Sequence, residues 1–142
     1  MVAEVEVPAG FVPQYAVAFG AVDGPAVAVQ ADNPLPVHAV RRPAQSAPLA
    51  GTIVSSAIVG PFVPELDRPI WLSLSGQWQG QVDFLRSADG GATMLPLTIA
   101  GERWGRFVGG TNEAVADESE AGATYYLAVT LLGGALTYRV AQ

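Results

Sequence analysis

The residues best able to do chemistry are few. Asn112, Glu113, Asp117, Glu118 and Glu120 form the densest cluster of oxygen ligands in the chain. A calcium site needs several such oxygens converging on one point, and the four carboxylates could supply them. Their spacing is not that of an EF-hand loop, so the plainer expectation is a solvated loop between strands. His38 is the single histidine and there is no cysteine. A His-based metal site or a Ser/His or Cys/His pair therefore lacks material, and His38 reads as a loop residue. Arg86 is expected to emerge at a strand end and pair locally with Asp89 rather than clamp a substrate. Trp71, Trp78 and Trp104 could stack on sugar rings. Trp78 is in phase with Val82 and Phe84 and reads as core. Trp71 is out of phase with Ile70, Leu72 and Leu74, and Trp104 lies between arginines, so both read as contact or packing residues before sugar platforms. No phosphate-cradling loop follows a strand and opens a helix. The expectation is a protein without metal, cofactor or catalytic set, and not an enzyme.

The totals bound the rest. A chain of 142 residues fits one main domain with a core of its own. Charged residues are 14% of the chain and the net charge is −6, whereas phosphate binding needs a clustered basic face, so nucleic acid is not an expected partner. All seven basic residues are arginine, which reads as compositional habit. Apolar runs are short and broken by Gly, Pro or polar residues, far from the roughly 20 residues of a spanning helix. Met1-Val-Ala-Glu-Val-Glu6 carries acids where a secretory signal carries positive charge, so synthesis and use without that export route is expected. High hydropathy with few charges suits a protein packed against others.

The elements that must position these residues are strands. Trp78, Gly80, Val82 and Phe84 alternate with Gln77, Gln79, Gln81 and Asp83, the mark of a half-buried antiparallel strand. Asp89-Gly90-Gly91 supplies a turn after it. Further strands are expected over Thr52–Val59, Pro69–Leu74, Met94–Ile99 (with Leu95, Leu97 and Ile99 in phase and Pro96 marking an edge), Arg103–Val108 and Thr124–Leu132. Gly133-Gly134 then reads as the turn of a hairpin into Ala135–Ala141. Glu120-Ala-Gly-Ala-Thr-Tyr-Tyr126 is similar to a tyrosine corner, anchored by Tyr125 or Tyr126. With no helical pattern of useful length, the fold class is all-β: an antiparallel β-sandwich, immunoglobulin-like or jelly-roll, of about seven or more strands.

Residues 1–50 differ in texture from 51–142. Seven prolines from Pro8 to Pro48 disfavour helix there. Tyr15–Phe19 and Ala26–Gln30 are short extended pieces linked by the turn candidate Asp23-Gly24-Pro25. This region is either a set of edge strands of the same sandwich or an extended proline-rich arm that packs on a neighbouring subunit.

The run Gly76-x-Trp78-x-Gly80-x-Val82-x-Phe84-x-Arg86-Ser-x-Asp89-Gly-Gly-x-Thr93 resembles a pattern in structural proteins of tailed double-stranded DNA bacteriophages. Glu120-Ala-Gly122-Ala-Thr-Tyr125, Tyr138-Arg-Val-Ala-Gln142 and the upstream Ala31-Asp-Asn-Pro-Leu-Pro-Val37 resemble later and earlier parts of it. Met94 stands where the pattern usually has an aromatic. The resemblance implies a non-enzymatic virion component, first a capsid decoration (cement) protein binding the outside of the major capsid lattice. A tail, baseplate or fibre-associated protein is the second reading, and a carbohydrate-binding module the third. The expected partners are the major capsid protein or other virion proteins, together with further copies of the chain, as a trimer for instance. The expected interface residues are Phe11, Tyr15, Phe19, Leu35, Val37, Arg41 and Arg42 in the arm, and Trp71 and Trp104 in the sandwich.

Overall fold

The computed structural model describes residues 18–20, 23–25, 27–32, 34–38, 40 and 42–142. The chain divides into two compact units, Met1–Arg42 and Pro43–Gln142. In the first, β1 (Ala18–Phe19) and β2 (Val27–Ala28) pair antiparallel, with Phe19 opposite Val27. Between them Asp23 takes a left-handed φ of 65° beside Gly24 and Pro25, so the expected turn is present. These strands form a two-stranded sheet of their own.

The second unit is antiparallel β throughout. Its strands are β3 (Leu49–Ile53), β4 (Ala57–Phe62), β5 (Pro69–Ser75), β6 (Trp78–Ser87), β7 (Leu95–Pro96), β8 (Thr98–Ile99), β9 (Glu102–Arg103), β10 (Arg106–Phe107), β11 (Thr111–Asp117), β12 (Thr124–Gly134) and β13 (Leu136–Ala141). One sheet has the order β11-β5-β13-β3 and the other β10-β6-β12-β4, with β7 also lying along β6. β8 and β9 make a small hairpin whose turn residues, Ala100 and Gly101, have φ of 51° and 88°, as a two-residue turn of the primed type requires.

One folded ribbon generates this architecture. β5 continues through Gly76 and Gln77 into β6, while β12 continues through Ala135 into β13; β5 pairs with β13 and β6 with β12. The ribbon bends between the sheets at Gly76 (φ 98°) and Gly134 (φ 84°), where the Ala135 N–H donates to the Gln77 carbonyl at 2.8 Å. A Cβ on Gly76 would press into the Ala135 carbonyl, and one on Gly134 into that of Gln77. Two glycines thus let the backbones close on each other where the strands change sheet. The link from β3 to β4 joins the same two sheets, and Ser56 Oγ in it accepts the Leu131 N–H at 2.9 Å.

Each of the pairs β3/β4, β5/β6 and β12/β13 is therefore split between the two sheets. That strand order is a jelly roll. In an immunoglobulin sandwich the first two strands share a sheet. The hairpin expected at Gly133-Gly134 is corrected by the same fact. Both glycines lie inside β12, opposite Gln79 and Trp78, because β6 and β5 already occupy the edges that a β12–β13 hairpin would have used.

Four other expectations change. Arg103–Val108 is not one strand: Arg103 ends β9, Trp104 and Gly105 form the link, and β10 is only Arg106–Phe107. Thr52–Val59 is not one strand: β3 ends at Ile53 and the chain crosses between sheets before β4. Met94–Ile99 splits into β7 and β8, and only Leu97 of its apolar trio packs on the core, since Leu95 and Ile99 are exposed. Asn112–Glu120 is not a loop. It is β11 as far as Asp117, with an irregularity between Ala114 and Ala116 that sends Val115 into the core. The remaining phases hold. Ile70, Leu72, Leu74, Val82, Phe84, Tyr125, Leu127, Val129, Leu136, Tyr138 and Val140 are all buried, with Trp78 packed against them. Each fully buried aliphatic or aromatic side chain is worth about 1.5–3 kcal/mol. Phe84 and Tyr125 add a stacked contact with ring centroids 5.1 Å apart.

The segment entering the sandwich is tied down by Gln142. Its amide oxygen accepts the Glu65 N–H at 2.7 Å and Ser46 Oγ–H at 3.2 Å, and its nitrogen donates to the carbonyls of Glu65 and Arg68 at 2.9 Å each. Glu65 Oε1 in turn accepts the backbone N–H groups of Gln45 and Ser46. Gln142→Ala removes all of these amide bonds at a partly buried position. It is expected to cost about 2 kcal/mol, read as a lower urea midpoint with unchanged m.

Candidate functional site

The densest polar constellation is a charged knot at one end of the core. Arg86 Nε donates to Glu118 Oε2 at 2.7 Å and its Nη2 to Glu118 Oε1 at 3.0 Å, while Nη2 also reaches Glu120 Oε2 at 2.5 Å. Glu118 Oε1 accepts the backbone N–H groups of Ser119 and Glu120 at 2.9 and 2.8 Å, and Oε2 accepts Tyr125 Oη–H at 2.9 Å. Glu118 is buried. The carboxylate is therefore surrounded by donors on both oxygens.

Electrostatics follow from that geometry. The Arg86 guanidinium first, with the Glu120 N–H and the Tyr125 hydroxyl also contributing, holds the Glu118 carboxyl down to about 2 against an ordinary 4.5. Burial first, then the Glu118 charge, pushes the Tyr125 hydroxyl up. Glu118 and Glu120 raise Arg86 further above its already high value. A general acid or base works best with a pKa near the working pH, and these groups are driven away from it. The knot locks structure rather than moving protons. It replaces the expected tyrosine corner with a carboxylate-anchored one, and it corrects the expected Arg86–Asp89 pair.

Asp89 has a different task. Its Oδ1 accepts the Thr93 N–H at 2.8 Å and Ser87 Oγ–H at 2.7 Å, and Ser87 Oγ accepts the Gly91 N–H at 2.8 Å. These bonds, the Thr93 N–H foremost, lower its carboxyl to about 2. Ser87-x-Asp89-Gly-Gly-x-Thr93 is thus a self-capped turn.

Three of the polar residues of 112–120 are engaged separately. Asn112 Oδ1 accepts Ser73 Oγ–H at 2.9 Å across the sheet, and Glu118 and Glu120 go to Arg86. Among the described residues no group of three or more His, Cys, Asp or Glu side chains could hold a metal ion. His38 is exposed in an irregular stretch. Two shallow grooves of about 300 and 350 Å³ lie along β6 and β12. One is lined by Gly80, Gln81, Val108, Thr130 and Leu132, the other by Gln77, Trp78, Gln79, Gly133 and Gly134. Neither lining includes a titratable side chain.

The expected interface residues fall in several places. Phe11, Tyr15 and Arg41 lie outside the described residues, and Phe19 is in β1. Leu35, Val37 and Arg42 are exposed, Val37 at 84%. Trp71 is 45% exposed on the outer face of its sheet, across from Ala114 and Ala141. Trp104 is exposed in the link between β9 and β10, its backbone N–H donating to the Leu97 carbonyl at 3.2 Å. Trp71 lies on β5, Trp104 lies in the link between β9 and β10, and Trp78 leans on the core, so the tryptophans do not build one stacking platform. The knot around Glu118 was missed in the sequence. Its one signal was Arg86, a charge in phase with buried residues, whose true partner lies 32 positions away.

No family model matches the chain, and no curated protein or solved structure matches it at a significant level.

Proposed function

We propose that the protein is a non-enzymatic structural component of a phage virion, a decoration protein bound to the outer surface of the major capsid lattice. The observation that carries this reading is the separate first unit, which presents Val37 and Val40 at 84% and 73% exposure beside Leu35. Large exposed aliphatics on an irregular, proline-rich segment suit lattice contacts, where each apolar Å² removed from water contributes about 25 cal/mol. The sandwich supports the reading from the other side, since its best-formed polar groups are spent on its own loops. The phage-like signature has physical content too: Arg86 of its first segment bonds Glu120 of its second. A jelly roll alone would not argue function, because the fold serves capsid and lectin domains alike.

The test separates the two units. Residues 43–142 retain the core and the Gln45–Glu65–Gln142 ties, so this truncation is expected to unfold cooperatively with nearly the parental midpoint. It is expected to lose binding to purified phage heads in a co-sedimentation assay. Full occupancy of heads by the truncated chain would overturn the proposal. A copy number per particle far below the scale of the capsid lattice would move the protein to the tail or baseplate.

A further inference from the structure

We propose that the β3–β4 flank of the sandwich is a self-association surface, on which β3 of one copy pairs antiparallel with β3 of a second copy about a two-fold axis at Gly51. Exposed strand edges invite pairing and are normally blunted by charge, proline or bulges. Three of the four edges here are blunted. β4 contains Pro61 and an irregularity opposite Tyr125–Leu127. β11 carries Glu113 and Asp117 and its own irregularity at Val115. The edge beyond β6 is broken into β7 and β10, with Pro96 in β7. β3, Leu49-Ala-Gly-Thr-Ile53, is an outer strand that among the described residues pairs only with β13, and it has no charge, proline or register shift.

The flank around β3 is apolar as well. From Pro43 to Pro64 the sequence contains no charged residue, although this stretch supplies the outer strands of both sheets on one side. Val54 in the crossing and Ile58 on β4 are 74% and 61% exposed. The nearest charge on the sheet, Arg139, sits one strand inward, across from Ala50.

These features favour a second copy over a charged partner. A chain of net charge −6 meets its own copy with least repulsion where acids are absent, and the acids here lie on other strands. Pairing about Gly51 is also self-complementary, as an isologous contact requires. Leu49 meets Ile53 of the second copy on the inner side, and Ala50 meets Thr52 on the outer side. Glycine meets glycine at the axis, where the Tyr138 ring already fills the space a Cβ would need. The result is one continuous sheet running through both copies.

The experiment is sedimentation velocity on the full chain at high micromolar concentration, with hydrogen exchange of the β3 amides. The wild type is expected to be a dimer with the outward-facing β3 amides protected. Val54→Glu and Ile58→Glu alter exposed side chains, so folding should survive, while each dimer gains two facing carboxylates. Each variant is expected to weaken the dimer by about 100-fold and to release those amides to exchange. Val108→Glu, on a side chain 74% exposed beyond β10, is expected to leave the dimer intact. A monomeric or trimeric wild type would overturn the proposal, as would a dimer that survives Val54→Glu and Ile58→Glu. A monomer with protected β3 amides would assign the edge to the chain's own residues 1–42 and overturn it equally.

Discussion

Arg86→Ala is expected to lower stability by about 3–5 kcal/mol, the usual consequence of leaving a buried charge without its partner. Glu118 is only 3% exposed, and in this variant its carboxylate would keep the Tyr125 hydroxyl and two backbone N–H groups but lose the guanidinium. Glu118→Gln should cost a similar amount, because the new amide N–H₂ would face donors on every side. Replacing both residues by apolar ones, Arg86→Met with Glu118→Leu, removes the stranded charge. The double variant is therefore expected to be less destabilised than the sum of the single changes. It should not reach wild type, since Tyr125 Oη and the Ser119 and Glu120 N–H groups lose their acceptor. Urea denaturation of the full set at neutral pH gives the comparison.

The same knot sets the acid limb of stability. Glu118 titrates at about 2 in the folded chain against an ordinary 4.5, so the unfolded chain binds the proton more readily. Its contribution, roughly 3 kcal/mol, is fully present above about pH 4.5 and is lost as pH falls towards about 2. Asp89 is depressed in the same direction and adds to the same window. In Arg86→Ala the carboxyl loses the largest cause of its depression, so the fall in urea midpoint between pH 5 and pH 2.5 should shrink. An acid limb as steep as the wild type's would show that Arg86 does not hold Glu118 down.

What was legible in the sequence was local. Period-two alternation placed Ile70, Leu72 and Leu74, and Val82 and Phe84, on the buried face, because that signal needs only neighbouring residues. The sandwich followed from the spacing of such runs. The strand order did not, because which sheet a strand joins depends on partners far away in the chain. Gly133-Gly134 has the composition of a hairpin turn, yet β12 and β13 pair elsewhere. The same limit hid the knot. Arg86 has Asp89 close by in sequence, whereas Glu118 reaches it only after β11 has crossed to the opposite sheet. The acidic stretch 112–120 misled for a related reason: its charges look like a loop, but they project from an outer strand that needs only Val115 and a few neighbours inside.

Gly134→Ala is expected to be among the most damaging small changes in the chain, while Gly133→Ala next to it should be nearly silent. Gly134 sits at φ 84° with its absent Cβ aimed at the Gln77 carbonyl and the Trp78 Cα. A left-handed conformation costs an L-residue about 1–2 kcal/mol. The steric conflict adds to this, because the obstacle is backbone held by the Ala135–Gln77 hydrogen bond and by the β6 ladder. Relief would require opening the bend that carries both strands of the ribbon from one sheet to the other. The expected loss is at least about 3 kcal/mol, with expression shifting to the insoluble fraction. A Cβ at Gly133 meets open space and φ there is not left-handed, so its change should stay within about 0.5 kcal/mol. Gly90→Ala separates the two causes. Its φ of 71° is left-handed but its surroundings are open, so it should lose only the conformational part, about 1–2 kcal/mol. If Gly134→Ala fell no further than Gly90→Ala, close packing at the bend would not be what fixes the jelly roll.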